Sequence, residues 1–449
     1  VELSIWLGKT YRRLPAPASG PNPNLTLAID KLTTALGSNP NSIELAIELG
    51  ESYLDARQDA KATALTDRLL AGSELPKAPV EQRASILVIA GKSLFNQHKL
   101  KEARQRFEAA QQLRANDVSI QKYLVETINE QAFEAIKEPK AAQALLDQAL
   151  AVDPQSTTTL TNIAVLAIDR GDCDGAQKQL LRLRGMRGSI AFETTRLLAR
   201  TYLCSAHPDP KRAAQAYADA EKEAKKANVQ LVLAEIYTEW APLMWDTDLA
   251  VAIDKLDLAV QISSQEPDIA PAAKRNLALA LYRRGWVSMR QGKATDAAAD
   301  FDRATRDPSV LRGSEPLAFD FSFAVAQLDA GNATEAAKLF KSLAARGNQA
   351  SYLKGAYAKV GSQFFAAYAS YRGSTGPARQ AACVDLGKLE SDIGAKAREL
   401  SASCWEMVAY DQWRAGNPGN ALKALATAEK TANAEQKRRI DLDRTALTL

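Results

Sequence analysis

One spacing recurs along this chain in a fixed register and limits what it can fold into. A small residue is followed twelve positions later by Ala, four further on by a bulky apolar residue, and three after that by another small or apolar one. Gly91, Ala103, Phe107 and Ala110 follow it, as do Gly285, Ala297, Phe301 and Ala304. So do Ala324, Ala336, Phe340 and Leu343, and Ala409, Ala421, Leu425 and Ala428. Self-similarity at a period of roughly 34 residues implies helix pairs stacked in a row. The 449 residues are long for one compact core. A stack escapes that limit, because each pair buries its apolar face on its neighbours.

Residues three and four apart share a helix face, so the spacing puts its small and bulky members on one side of each helix. Gly or Ala at a crossing lets two backbones approach, and Phe107, Phe301 or Phe340 fills the gap beside it. Gly171, Gly292, Gly331 and Gly416 end first helices in the conformation glycine adopts most easily. Proline stops the second helices. β-Branched alternation never persists over a strand's length, so the chain reads as all-α. About eleven units can be followed by these marks. Longer turns interrupt them at residues 14–24, 205–210, 264–274 and 371–378, and the unit from Tyr352 to Leu389 is looser. Ala434 to Leu447, with Gln436-Lys437-Arg438-Arg439, suits a helix that shields the last apolar face.

The Leu-Gly-x-x-Tyr start (Leu49-Gly50 and Tyr53), the Gly171-Asp172 turn and the Ala…Phe…Ala…Pro ending resemble the tetratricopeptide repeat family over almost the whole chain. The resemblance implies an all-α, right-handed superhelical solenoid of helix-turn-helix units with a C-terminal capping helix. It implies an N-terminal array over 1–264 and a C-terminal array over 265–449, running on as one continuous solenoid. It further implies a non-catalytic scaffold that offers its concave surface to a protein or peptide partner. The settings it suggests are bacterial envelope assemblies for secretion, pilus formation, outer-membrane biogenesis or surface motility, and hence the periplasm. A cytoplasmic chaperone-type or regulatory adaptor is the alternative. Another is the repeat region of a longer polypeptide, since Val1 is followed at once by helix-like Leu3-Ser4-Ile5-Trp6.

Catalysis finds no support in the residues. The two histidines, His98 and His207, sit at turns, far from any second ligand at metal spacing. There is no Gly-rich phosphate loop, nucleophile elbow or H-E-x-x-H helix. No cofactor or metal is therefore expected. A net charge of +4 is too small to argue for nucleic acid. Lys222, Lys225 and Lys226 alternate with Glu221 and Glu223, the pattern of a solvated helix face. Apolar runs, such as Ile86 to Ala90, are far short of the ~18 residues of a membrane span. Oligomeric state is left open.

Two groups of residues stand out. Cys173 and Cys204 lie symmetrically about a turn at Gly188, and Cys383 and Cys404 about one near Gly394. Residues equidistant from a hairpin turn lie at one height, so two readings stay open. One is a pair of disulfides, which an oxidising compartment would allow. The other is four small buried residues where such repeats carry Ala. The second group is aromatic and basic and falls on the first-helix faces of the C-terminal half. It comprises Tyr282, Trp286, Met289, Arg290, Phe321, Phe364, Tyr368, Tyr410, Trp413 and Arg414. Aromatics and Arg are enriched where proteins bind partners. The expected mechanism is insertion of partner side chains among the rings, with Arg290 and Arg414 holding acidic groups. The matching face of the early units carries Glu44, Glu51, Asp55 and Lys92 and reads as solvated.

Overall fold

The computed structural model describes residues 1–15, 22–346, 357–389 and 394–448. These are helices joined by turns, with no strand among the described residues. Most of the expected loop after Pro15 lies outside them, as does Tyr352, the expected start of the looser unit. The chain forms two compact units, Val1–Glu223 and Ala224–Leu449.

The first unit contains α1 (Glu2–Arg13), α2 (Pro23–Ser38), α3 (Ile43–Asp55), α4 (Asp59–Leu70), α5 (Val80–Asn96), α6 (Leu100–Leu113), α7 (Val118–Glu134), α8 (Pro139–Val152), α9 (Thr157–Asp169), α10 (Cys173–Leu183) and α11 (Ala191–Cys204). The division between the units falls inside α12 (Pro210–Ala227). Helix starts are set by short polar side chains that accept from orphan N–H groups. Asp117 Oδ1 accepts from Ser119 N at 2.9 Å and Ile120 N at 3.3 Å, and Asp172 Oδ1 accepts from Gly175 N at 3.0 Å. First helices end in a shared way. The amides of Gln58, Lys99 and Asp172 donate back to the carbonyls of Tyr53, Leu94 and Ala167 at 2.8, 2.9 and 2.9 Å. The residue before each has positive φ: Arg57 at 56°, His98 at 56° and Gly171 at 81°. His98 thus holds a helix-ending position that glycine fills elsewhere.

The repeating small residue is a packing requirement. A Cβ built on Gly91 would lie 2.5 Å from the Phe107 ring, and one on Gly8 2.7 Å from Leu32. Both are far inside the ~3.5–4.0 Å of ordinary carbon contact.

The second unit contains α13 (Gln230–Trp240), α14 (Leu249–Ile262), α15 (Ala270–Arg290), α16 (Ala294–Thr305), α17 (Glu315–Asp329), α18 (Ala333–Ala345), α19 (Tyr357–Gly373), α20 (Gly376–Lys388), α21 (Ala395–Arg414), α22 (Pro418–Glu429) and α23 (Ala434–Thr448). The same helix ending recurs: Lys293, Asn332 and Asn417 donate to Ser288, Gln327 and Gln412 at 2.9, 2.8 and 2.9 Å. Glycines with φ of 74°, 87° and 76° precede them at Gly292, Gly331 and Gly416. α19 is kinked at Gly361, whose φ is 42°. At the end of the unit, α23 packs on α21 and α22. Ile440 is fully buried there, and Gln436 Nε2 donates to Glu399 O and Ser403 Oγ at 2.9 Å each. Arg439 and Arg444 add ion pairs to Glu406 and Glu429.

The four cysteines are paired across helix hairpins. Cys173 at the start of α10 is bonded to Cys204 at the end of α11, with Cα atoms 5.7 Å apart. Cys383 of α20 is bonded to Cys404 of α21, at 5.5 Å. Closing loops of 31 and 21 residues removes denatured-state entropy, worth about 3–4 kcal/mol each in the chain-entropy account.

Candidate partner-binding surface

Most of the aromatic residues on the first-helix faces of the second unit turn toward neighbouring helices. The Tyr282 ring stacks on Phe319 with centroids 4.1 Å apart and tilts against Phe301 at 5.5 Å. Ser322 Oγ donates to its hydroxyl at 3.2 Å. Trp286 meets Phe301 edge-on at 5.8 Å, and Met289 packs into the same cluster. Phe321 lies edge-on to Phe340 at 5.5 Å and to Phe365 at 5.2 Å. Phe364 touches Phe365 at 5.2 Å and stacks on Tyr368 at 6.3 Å. Phe364 is only 4% exposed and belongs to the core, whereas Tyr282, Trp286, Met289, Phe321 and Tyr368 are partly buried. In this structure these six join successive helix pairs. Arg290 is exposed at the end of α15 and has no ion-pair partner among the described residues.

The last first-helix, α21, differs. Tyr410 and Trp413 are 53% and 52% exposed, three residues apart on one face, with ring centroids 5.9 Å apart. The Arg414 guanidinium lies 5.8 Å from the Tyr410 ring centre. Beside them opens a cavity of about 250 Å³, lined by Glu406, Tyr410, Trp413, Leu425, Asp443 and Leu447, among others. The register explains the space. At this crossing the small residue is Ala409 and its partner is Leu425, so no phenyl ring fills the gap as Phe301 does beside Gly285.

A clamp fixes the helix that carries the rings. The Arg379 guanidinium donates from Nη1 to both oxygens of Asp411 at 2.9 Å and from Nε to Tyr371 O at 3.2 Å. Gly376 N donates to the same carboxylate at 3.1 Å. Both charged side chains are largely buried, and the Cys383–Cys404 bond ties the same two helices. Burial also pushes the Tyr371 hydroxyl above its ordinary pKa.

Glu406 sits one turn before Tyr410. Its Oε2 accepts from Arg439 Nε at 3.0 Å and Nη2 at 2.6 Å, while its Oε1 is buried without a hydrogen-bond partner. Burial pushes this carboxyl above its ordinary value, Arg439 pulls it back, and the nearby Asp443 charge adds to the rise. Asp443 is exposed and has no ion pair or hydrogen bond among the described residues. Sequence reasoning missed both carboxylates. Glu406 carried a signal, because positions four and seven before Tyr410 and Trp413 share their face. Asp443 carried none, since it comes from a different helix.

The first unit has a larger, polar groove of about 420 Å³, lined by Glu51, Asp55, Lys92, Asn96, Tyr123 and Glu126, among others. Its charges are largely paired within the fold, which differs from the simple solvation expected there. Arg12 binds Asp55 at 2.7 Å, Glu48 at 3.3 Å and Glu51 at 3.4 Å. Lys92 reaches Glu51 at 3.8 Å and lies 4.8 Å over the Tyr123 ring, and Gln82 Nε2 donates to Glu44 at 3.2 Å.

Among the described residues no group of three or more His, Cys, Asp or Glu is placed to hold a metal, and no helix is long and apolar enough to cross a membrane.

Residues 282–351 match a family model described as tetratricopeptide repeat. No curated protein matches the chain. Similar solved structures include the C-terminal part of a tetratricopeptide repeat-containing protein from Cytophaga hutchinsonii, at 12% identity and TM-score 0.43, covering 60% of this chain and 98% of that one. A tetratricopeptide repeat protein from Parabacteroides merdae aligns at 14% identity and TM-score 0.31, covering 66% and 100%. Yeast Tom70 aligns at 14% and 0.29, covering 100% and 96%.

Proposed function

From a chain built of tetratricopeptide-type helical repeats, we propose a non-catalytic scaffold whose C-terminal unit docks a segment of a partner protein at Tyr410, Trp413 and Arg414. The observation that carries this reading is the contrast along one helix face. Tyr282, Trp286, Phe321, Phe364 and Tyr368 are spent on joining helix pairs, whereas Tyr410 and Trp413 are half exposed beside a cavity. Two large rings held on a clamped helix give contact area at small entropic cost, which is the character of a binding hot spot. Arg414, and Arg290 further along the unit, remain available to acidic groups of a partner. The test is to pan a displayed random-peptide library on the intact protein and measure the enriched peptides against Trp413→Ala and Tyr410→Ala. Loss of at least about tenfold in affinity, with an unchanged circular dichroism spectrum and melting curve, is the expected result. Peptides that bind both variants as well as the parent would refute the site.

The assembly is proposed to be one of the bacterial envelope, with the protein in the periplasm. Its support is the pair of disulfides, a bond that persists in oxidising compartments and is rare in reducing ones. Alkylation and mass spectrometry of the natural, unreduced protein decide this. No reactive thiol is expected; four reactive thiols would favour a cytoplasmic adaptor instead.

A further inference from the structure

The cavity at the end of the second unit has a chemical bias that the docking surface as a whole lacks. Among the described residues two charged groups line it, Glu406 and Asp443, and both are carboxylates. The Glu406 carboxylate is paired with Arg439 through Oε2 and its Oε1 is shut off from solvent, so the charge open to an incoming group is that of Asp443, which is exposed and has no ion pair or hydrogen bond among the described residues. Facing them are the exposed rings of Tyr410 and Trp413, and the apolar surfaces of Leu425 and Leu447 complete the walls. We propose that this cavity receives an arginine side chain of the partner segment. The proposal rests on the docking reading given above and names the chemistry of its occupant.

Each alternative side chain meets an obstacle in the same geometry. An apolar side chain would strip water from the Asp443 carboxylate and give it no partner, which is costly. An acidic side chain would bring a second uncompensated negative charge beside that of Asp443. A lysine ammonium is a compact, strongly hydrated charge that gains little from a flat wall. An arginine fits each surface: its methylene stem lies on Leu425 and Leu447, its plane on the rings, and its forked N–H groups donate to the Asp443 carboxylate. The chain already places a guanidinium over one of these rings, with Arg414 5.8 Å from the Tyr410 ring centre. Occupancy by a cation also relieves the Glu406 carboxyl, whose pKa is raised by burial and by Asp443.

The experiment uses the intact protein with indole ¹⁵N labels, the Trp413 resonance being assigned through Trp413→Phe. Two capped alanine peptides are titrated, one with a central arginine and one with citrulline, which keeps the shape and removes the charge. The arginine peptide is expected to shift the Trp413 resonance saturably and to bind about tenfold tighter than the citrulline peptide. Asp443→Asn is expected to erase most of that preference. This side chain is exposed and bonds to nothing, so the variant keeps the fold. Equal binding of the two peptides at Trp413, or an unchanged preference in Asp443→Asn, overturns the inference and leaves the docking reading standing. A library-selected peptide that perturbs Trp413 without containing arginine does the same. If neither titrated nor selected peptides perturb Trp413, the docking reading falls together with the inference.

Discussion

Replacing Gly285 with alanine tests the packing rule that generates the fold. The new Cβ would lie 2.6, 2.8 and 3.0 Å from Cε1, Cζ and Cδ1 of Phe301. Ordinary carbon contacts are ~3.5–4.0 Å, so the ring must retreat by about 1 Å. It has little room, because Phe301 is fully buried and Tyr282 and Trp286 close on it with centroids 5.5 and 5.8 Å away. Overpacking of this kind costs about 1–3 kcal/mol. Alanine regains about 1 kcal/mol of helix propensity, which leaves a net loss of up to about 2 kcal/mol. Urea denaturation followed by far-ultraviolet circular dichroism reads that difference. Gly37→Ala is the control: Gly37 is exposed near the end of α2 with no atom within 4 Å of the added carbon, so it should show only the propensity gain. Adding Phe301→Leu to Gly285→Ala should recover part of the loss, as a coupling of about 0.5–3 kcal/mol. Were Gly285→Ala to stabilise as much as Gly37→Ala, or the coupling to vanish, the reasoning would be refuted.

Arg379→Ala leaves Asp411 largely buried without its ion-pair partner and is expected to cost about 3–5 kcal/mol in chemical denaturation. Changing Cys383 and Cys404 together to Ala should cost about 3 kcal/mol by the same assay, and reducing the intact protein, which breaks both disulfides, about twice that. His98→Gly should raise stability, by about 1 kcal/mol, because His98 holds a φ of 56° that glycine adopts without a Cβ clash. Glu406 supplies a pH test. Its folded pKa is raised above the ordinary 4.5, so its contribution to stability is fully present below that value and lost as pH rises through the raised one. The stability of Glu406→Gln relative to the parent should therefore improve over that window. The charged groups that set its position are Arg439 and Asp443, both on α23.

How much of this could be read in advance depended on whether the physics was local. The pairing of Gly91 with Phe107 and of Gly285 with Phe301 follows from a spacing within one helix hairpin. So does the apposition of Cys173 with Cys204, since symmetry about a turn fixes height. The αL positions at Gly171, Gly292, Gly331 and Gly416 were equally open to reading, but Arg57 and His98 were not, because only glycine announces that conformation. The candidate surface was harder. Periodicity gives the face on which Tyr282, Phe321 and Tyr410 lie, but not whether the next helix pair covers it. Phe319 and Phe365 cover the first two, while Tyr410 stays 53% exposed. Glu406 and Asp443 meet only because α23 folds back on α21, a contact no spacing within one helix contains. The early charged face escaped for the same reason: Arg12 comes from α1 to bind Glu48, Glu51 and Asp55 of α3.

The two tryptophans of this face offer the most direct measurement. Trp286 is packed edge-on against Phe301, whereas Trp413 is half exposed beside the cavity. For each Trp→Ala variant, the melting temperature and the affinity for a library-selected peptide are measured side by side. A docking surface at the end of the second unit predicts a split. Trp413→Ala loses affinity and keeps its melting temperature, while Trp286→Ala lowers the melting temperature and keeps its affinity under folded conditions. If Trp413→Ala instead melts early with peptide binding intact, the rings on α21 serve the fold and the partner binds elsewhere.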